Sequence, residues 1–206
     1  MSGLIGQSIK RVEDPRFIQG KGRYVANLQI PGMLHAAIVR SPHAHANIKR
    51  IDASAALAME GVVAVFTGQD LAADGVGGLP CGFNPPDIKT APHPALAVGK
   101  VRHVGDGVAV VIAESRYLAQ DAAEAVQVDY EPLPAVIDAK KTTEAGTPQL
   151  HTEIPNNTSF YWALGTNDAI NQVLASADRV VELDLINQRL IPNAVSYTHL
   201  TLPTNK

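Results

Sequence analysis

Gly105-Asp106-Gly107-Val108-Ala109-Val110-Val111-Ile112-Ala113-Glu114-Ser115-Arg116-Tyr117-Leu118 opens the stretch whose reading decides the fold. An unbroken apolar run after a Gly-Asp-Gly turn predicts a strand over 108–113 at the centre of its sheet. Ser115 stands where a helix N-cap belongs. From there Leu118, Ala122 and Ala125 recur on one face of a helix ending near 125, while Arg116, Gln120 and Glu124 face outward. Residues 126–130 read as the next strand. Strand, helix, strand at this spacing is a crossover unit, and its small alanines let the helix sit close against the sheet. Pro132 and Pro134 end the pattern.

Upstream, the run Val62-Val63-Ala64-Val65-Phe66 predicts a strand buried on both faces. Before it, the alanine-rich residues 52–59 predict a short helix, capped by Asp52 or Ser54 and stopped by Gly61. Residues 24–28 and 33–40 predict two strands that the Pro31-Gly32 dipeptide can join as a hairpin. Residues 47–51 alternate weakly, and residues 11–22 form an irregular lead-in. Residues 72–94, heavy in Gly and Pro, read as a long surface loop of the kind that touches a partner or covers a site. Downstream, 139–157 reads as a connection. A second unit then follows, with a strand over 159–164, a helix over 168–177 that turns Ile170, Val173 and Leu174 inward, and a long strand over 179–191.

The chain has 206 residues, 46% of them hydrophobic, enough for one packed domain and part of another. A net charge of -3 gives no field to hold a nucleic acid backbone or an anionic membrane. The first residues lack the pattern of a signal peptide, and no window is apolar enough to span a bilayer, so a cytoplasmic location is expected. Cys81 is the only cysteine, which excludes an internal disulfide framework and a cysteine-rich metal site. With no base or cationic helix end evident beside it, its thiol reads as incidental.

Arg40-Ser41-Pro42-His43-Ala44-His45-Ala46 is the motif with the sharpest chemical alternatives. On an extended segment, His43 and His45 share a face and could supply two metal ligands. A third ligand is missing: His35 belongs to the preceding apolar segment, His93 and His103 to separate elements, and the motif holds no carboxylate. A hydrogen-bonding corner is the preferred reading. Among the carboxylates, Asp106 belongs to a turn, Glu114 follows a strand, and Asp129 and Glu131 share a strand face where they stay ionised. None is assigned a catalytic role.

Gly20-Lys21-Gly22-Arg23-Tyr24-Val25, the segment from Pro31 through Ala46 that contains the histidine motif, Gly61 to Thr67, Val101 to Glu114 and Val128 to Val136 follow one another in an order that resembles a known family. It is that of the molybdenum-binding large subunits of the xanthine dehydrogenases and aldehyde oxidases, especially the aerobic carbon monoxide dehydrogenase branch. The resemblance runs from about Ile5 to Ala194, and Gly107 departs from it where the family usually has proline. It implies an α+β fold, the α/β-hammerhead domain with a mixed sheet, followed by the truncated start of a molybdopterin-binding domain. The expected division is 1–18 lead-in, 19–138 hammerhead, 139–157 linker, 158–194 start of the second domain and 195–206 a non-native tail. In that tail, Val195-Ser196-Tyr197-Thr198-His199-Leu200 resembles translated sequencing adapter and replaces the family continuation.

For function, the resemblance implies an oxidoreductase acting on carbon monoxide, aldehydes or purine-like heterocycles, with water as the oxygen source. The implied cofactor is molybdopterin cytosine dinucleotide carrying molybdenum, and the implied partners are iron-sulfur and FAD-binding subunits or domains. The family's pterin loops, catalytic glutamate and active-site cysteine lie downstream of Ala194. The expectation is therefore no catalytic, cofactor or metal residue within this chain, no bound cofactor, and no activity of the chain alone. The alternative is a non-catalytic hammerhead module for subunit assembly or binding. Unpaired apolar strands over 159–191 are also expected to limit solubility, so that a chain ending near Ala139 behaves better.

Overall fold

The computed structural model describes residues 6–24, 27–83, 85–165 and 167–185. They divide into two compact units, one spanning Met33–Thr166 and the other built from the two chain ends. The larger unit carries six strands: β1 (His35–Arg40), β2 (Ala46–Asp52), β3 (Val62–Thr67), β4 (Lys100–Val101), β5 (Gly107–Ala113) and β6 (Gln127–Pro132). They form two three-stranded sheets, β1-β5-β3 and β4-β2-β6.

β5 is central, as its apolar run requires. It pairs antiparallel with β1 on one side and with β3 on the other, so that Ala37, Val111 and Val65 lie in one row and Ile38, Val110 and Phe66 in the next. The helix Arg116–Ala125 covers the first row. Ser115 accepts the Leu118 N–H as its N-cap, and Ala119, Ala122 and Ala123 are buried. Small side chains bring this helix close to Val111, which is fully buried with Ala56 and Ala122 in a cluster that includes the buried Val126. A second core of Ala46, Ala97, Val101 and Val108 lies where the two sheets meet, and Val39, Ile51 and Val128 pack against both cores. Burying one such valine stabilises the fold by about 1.5–3 kcal/mol.

The α+β class holds, while the expected mixed sheet resolves into two antiparallel ones. The expected crossover fails for a topological reason. Both edges of β5 are taken by β1 and β3, so the strand after the helix leaves for the other sheet and pairs with β2, Ile51 opposite Val128. β3 is an edge strand with Val63 and Phe66 exposed, not one buried on both faces. Of the hairpin expected from 24–28 with 33–40, the second part yields a described strand, β1, whose partner is β5, while residues 25–26 of the first lie outside the described residues. At the described positions Tyr24 and Asn27 make a turn, in which the Asn27 side chain accepts the Tyr24 N–H and competes with a ladder.

Among the described residues, four α-helices stand besides the one on β5: Asp14–Ile18, inside the expected irregular lead-in; Ser54–Leu57, where Asp52 Oδ1 accepts the Ser54 N–H at 3.0 Å; Gly68–Ala73, which the sequence reading missed; and Asn167–Ala175. The third begins with a capping box, Thr67 and Asp70 each satisfying the other's backbone N–H. The last is the helix expected over 168–177, but Ile170, Val173 and Leu174 are exposed rather than inward.

Residues 159–164 form no strand. Ser159 exchanges two hydrogen bonds with Lys89, while Phe160 and Trp162 pack edge-on against Phe83. Of the strand expected over 179–191, the described part 179–185 is irregular and exposed, and the remainder lies outside the described residues.

Between 139 and 157 the chain is held by its own polar groups. Asn157 bonds the Leu150 N–H and the Thr142 and Pro148 carbonyls, and Ile154 is buried. A chain ending near Ala139 would lose the buried Ile154 and these Asn157 bonds from the larger unit.

Candidate functional site

The histidine motif sits at the corner where β1 gives way to β2. Ser41, 2% exposed, locks it: its N–H donates to the Asp106 carbonyl at 2.8 Å and its own carbonyl accepts the Gly105 N–H at 2.8 Å. Arg40 Nη1 reaches the Gly105 carbonyl at 2.8 Å. Gly105 supplies the positive φ, +86°, that this close approach uses. His45, 5% exposed, places Nδ1 2.7 Å from the Pro134 carbonyl; since a carbonyl only accepts, Nδ1 carries the proton. The Leu133 N–H returns a bond to the His45 carbonyl. Three separated sequence blocks, 40–46, 101–107 and 128–136, thus meet in one clasp.

The corner is a bend and not an extended strand, so the two histidines have different neighbours. His43 lies edge-on to Tyr130, 5.0 Å between centroids, while His45 turns to Pro134. Burial lifts the Tyr130 phenol above its ordinary value. His35 is in β1 opposite Ala113. Among the described residues, no three His, Cys, Asp or Glu side chains come together as a metal group.

The carboxylates are placed separately. Asp106 Oδ2 accepts the Arg102 main-chain N–H at 3.0 Å and its Oδ1 lies 3.7 Å from His103 Nε2, inside a turn. Glu114 is exposed just beyond β5. Asp129 and Glu131 lie on the exposed face of β6, where hydrogen bonds from Lys49 and Asn47 hold the Glu131 carboxyl below its usual range.

Beside the clasp, the end of the loop over 72–94 borders a cleft of two arms. One arm, about 280 Å³, is lined by His93, Arg102, His103, Asp106 and His151. The other, about 460 Å³, shares His93 and His151 and adds Cys81, Ile88, Leu150 and Ile154. Burial, then the Arg102 charge, holds the His151 imidazole below its ordinary value; His45 and His93 push the same way and Glu153 opposes. Cys81 is exposed and its thiol faces the Phe83 carbonyl at 3.1 Å. Sequence reading missed Arg102 and His151 because the loops that bring them together carry no period; the one signal was the density of Gly and Pro around His93.

Two small antiparallel sheets, the helix lodged on one of them and the clasp that ties the three blocks define a hammerhead domain. Residues 19–134 match the family described as aldehyde oxidase and xanthine dehydrogenase, a/b hammerhead domain, and the chain belongs to that family. It is 40% identical over 194 residues to the carbon monoxide dehydrogenase large chain of Afipia carboxidovorans, which covers 88% of this chain and 23% of that one. The nicotine 6-hydroxylase large subunit of Paenarthrobacter nicotinovorans is 36% identical, over 86% of this chain and 21% of its own. Among solved structures, the reconstituted CO dehydrogenase from Oligotropha carboxidovorans superposes with a TM-score of 0.73 at 40% identity, over 84% of this chain and 22% of that one. Quinoline 2-oxidoreductase from Pseudomonas putida 86 gives 0.64 at 44% identity, over 70% of this chain and 18% of its own. The chain thus spans about a quarter or less of the length of these relatives.

Proposed function

We propose that this chain is the amino-terminal portion of a molybdenum hydroxylase large subunit, a cytoplasmic oxidoreductase acting on carbon monoxide, an aldehyde or a purine-like heterocycle with water as the oxygen source. The observation that carries the reading is 40% identity to a carbon monoxide dehydrogenase large chain over 88% of the chain. The proposal divides it into a lead-in 1–18, the hammerhead 19–138, a linker 139–157, the start of a molybdopterin-binding domain 158–194 and a non-native tail 195–206. Iron-sulfur and FAD-binding subunits or domains complete the assembly. No helix among the described residues is long and apolar enough to cross a membrane.

The implied cofactor, molybdopterin cytosine dinucleotide with molybdenum, supplies the redox chemistry when bound. Its pyrophosphate needs free donors and its metal a facing carboxylate. Among the described residues the helix on β5 closes its own N-terminus with Ser115 and so does not fit a pyrophosphate; binding of the group is assigned to the length of the relatives that this chain does not span.

A second reading, a non-catalytic module for subunit assembly, draws on the clasp, whose polar groups are turned into the fold rather than toward a substrate. Two measurements test the proposal. Genomic sequence beyond the Ala194 codon is expected to encode the pterin-binding region, and a stop there favours the module. The purified chain is expected to carry no molybdenum and oxidise no substrate; stoichiometric metal by elemental analysis sinks that expectation.

A further inference from the structure

Arg102 follows β4 and is clamped from behind. Its Nε donates to the Leu150 carbonyl at 3.1 Å and its Nη1 faces the Lys100 carbonyl at 3.5 Å. These contacts fix the guanidinium plane and leave Nη2 without an acceptor among the described residues. The arm of about 280 Å³ that Arg102 lines is also bordered by His93, His103 and His151. Its one lining carboxylate, Asp106, is engaged elsewhere, by the Arg102 main-chain N–H and by His103. The other walls are alanine and proline, which lower the local dielectric and strengthen any charge pairing inside. A cation entering here meets a held guanidinium, whereas an oxyanion finds the charged donor Nη2 free to bond it.

We propose that this arm of the cleft is a receptor for a small oxyanion of the phosphate or carboxylate class, held by Arg102 with His93 and His151 as flanking donors. The assignment uses only groups of the larger unit and stands whether or not the molybdenum hydroxylase reading does. Burial first, and then Arg102 with His45 and His93 and against Glu153, disfavours protonation of His151. A bound anion offsets that repulsion, so anion binding and His151 protonation reinforce each other.

The test is a titration of the full chain with inorganic phosphate, and separately with acetate, at ionic strength matched by chloride, reading the histidine ring resonances by NMR. Expected are saturable shifts of His93 and His151 and a rise in the His151 titration midpoint. Response to phosphate alone narrows the class to phosphate, and response to acetate as well makes carboxylates ligands too. R102M is expected to weaken binding at least roughly tenfold, the size of a charge-assisted hydrogen bond. Because Arg102 also anchors Leu150, H93Q provides a second variant that leaves both carbonyl contacts in place; roughly threefold weaker binding is expected of it. An identical response to chloride, or unchanged phosphate affinity in both variants, overturns the assignment.

Discussion

Gly68→Ala sets two effects of opposite sign against each other, and the structure decides between them. Gly68 opens the helix that starts at the Thr67 capping box, and alanine is the better helix former, by at most about 1 kcal/mol and by less in a first turn. A Cβ at this position, however, would lie 2.7 Å from the Leu96 carbonyl oxygen and closer still to that of Ala97. Both are backbone atoms and neither can swing aside. Leu96 and Ala97 are buried, and the Ala97 N–H is bonded to the Gly107 carbonyl at 2.7 Å, so any retreat strains the start of β5. Overpacking of this kind costs about 1–3 kcal/mol, and here the upper part of that range applies because the contact is backbone to backbone. The net expectation is a loss of about 2 kcal/mol. Urea unfolding followed by circular dichroism, with the slope unchanged from the parent chain, measures it. Gly75→Ala is the control: Gly75 has a φ of +72° and open space around it, so only the left-handed backbone is penalised, by about 1 kcal/mol. A Gly68→Ala chain as stable as its parent, or more so, refutes the reasoning.

Ser115→Ala removes the N-cap of the helix on β5 and should cost about 1 kcal/mol in the same urea assay. Val111→Ala empties a fully buried site under that helix and should cost about 2–3 kcal/mol, with little change if the core collapses to fill it. Stability should also fall on acidification. His151 is held below its ordinary value, so the folded state takes up its proton later than the unfolded one, and the loss begins as pH drops past about 6.5. Unfolding midpoints at a series of pH values should show that slope reduced in H151Q. A second loss should set in lower, as pH falls through and below the ordinary carboxylate range, from Asp70 and Asp52, whose hydrogen bonds from Thr67 and from Ser54 hold them below their usual values; unfolding midpoints that stay level with falling pH in that range would contradict it.

The elements that were legible in the sequence are those whose signal is local. The apolar run 108–113 and the Ser115 cap identify β5 and its helix to within a residue, because both depend on neighbours in the chain. Which strands pair could not be read that way. That β6 leaves for the second sheet follows from β1 and β3 occupying both edges of β5, a fact about residues roughly forty to eighty positions apart. The strand expected over 159–164 failed for a related reason: its aromatic residues met Phe83, and two hydrogen bonds between Ser159 and Lys89 replaced a ladder. The histidine motif showed that it was special but not why. Its role became readable only when Ser41 met Gly105 and Asp106, and His45 met Pro134. The cleft was the least legible feature, since Arg102 is clamped by a carbonyl forty-eight positions away, in a stretch without period.

The strand order β1-β5-β3 has a consequence during synthesis. A ribosome delivers β1 and β3 well before β5, and these two are never neighbours in the finished sheet. Until Ala113 has emerged, the nascent chain holds two β-rich segments with no native partner for either, a state open to association with other growing chains. Once β5 arrives, both sides can zip onto it, so acquisition of this half of the fold is timed by translation of a single seven-residue stretch.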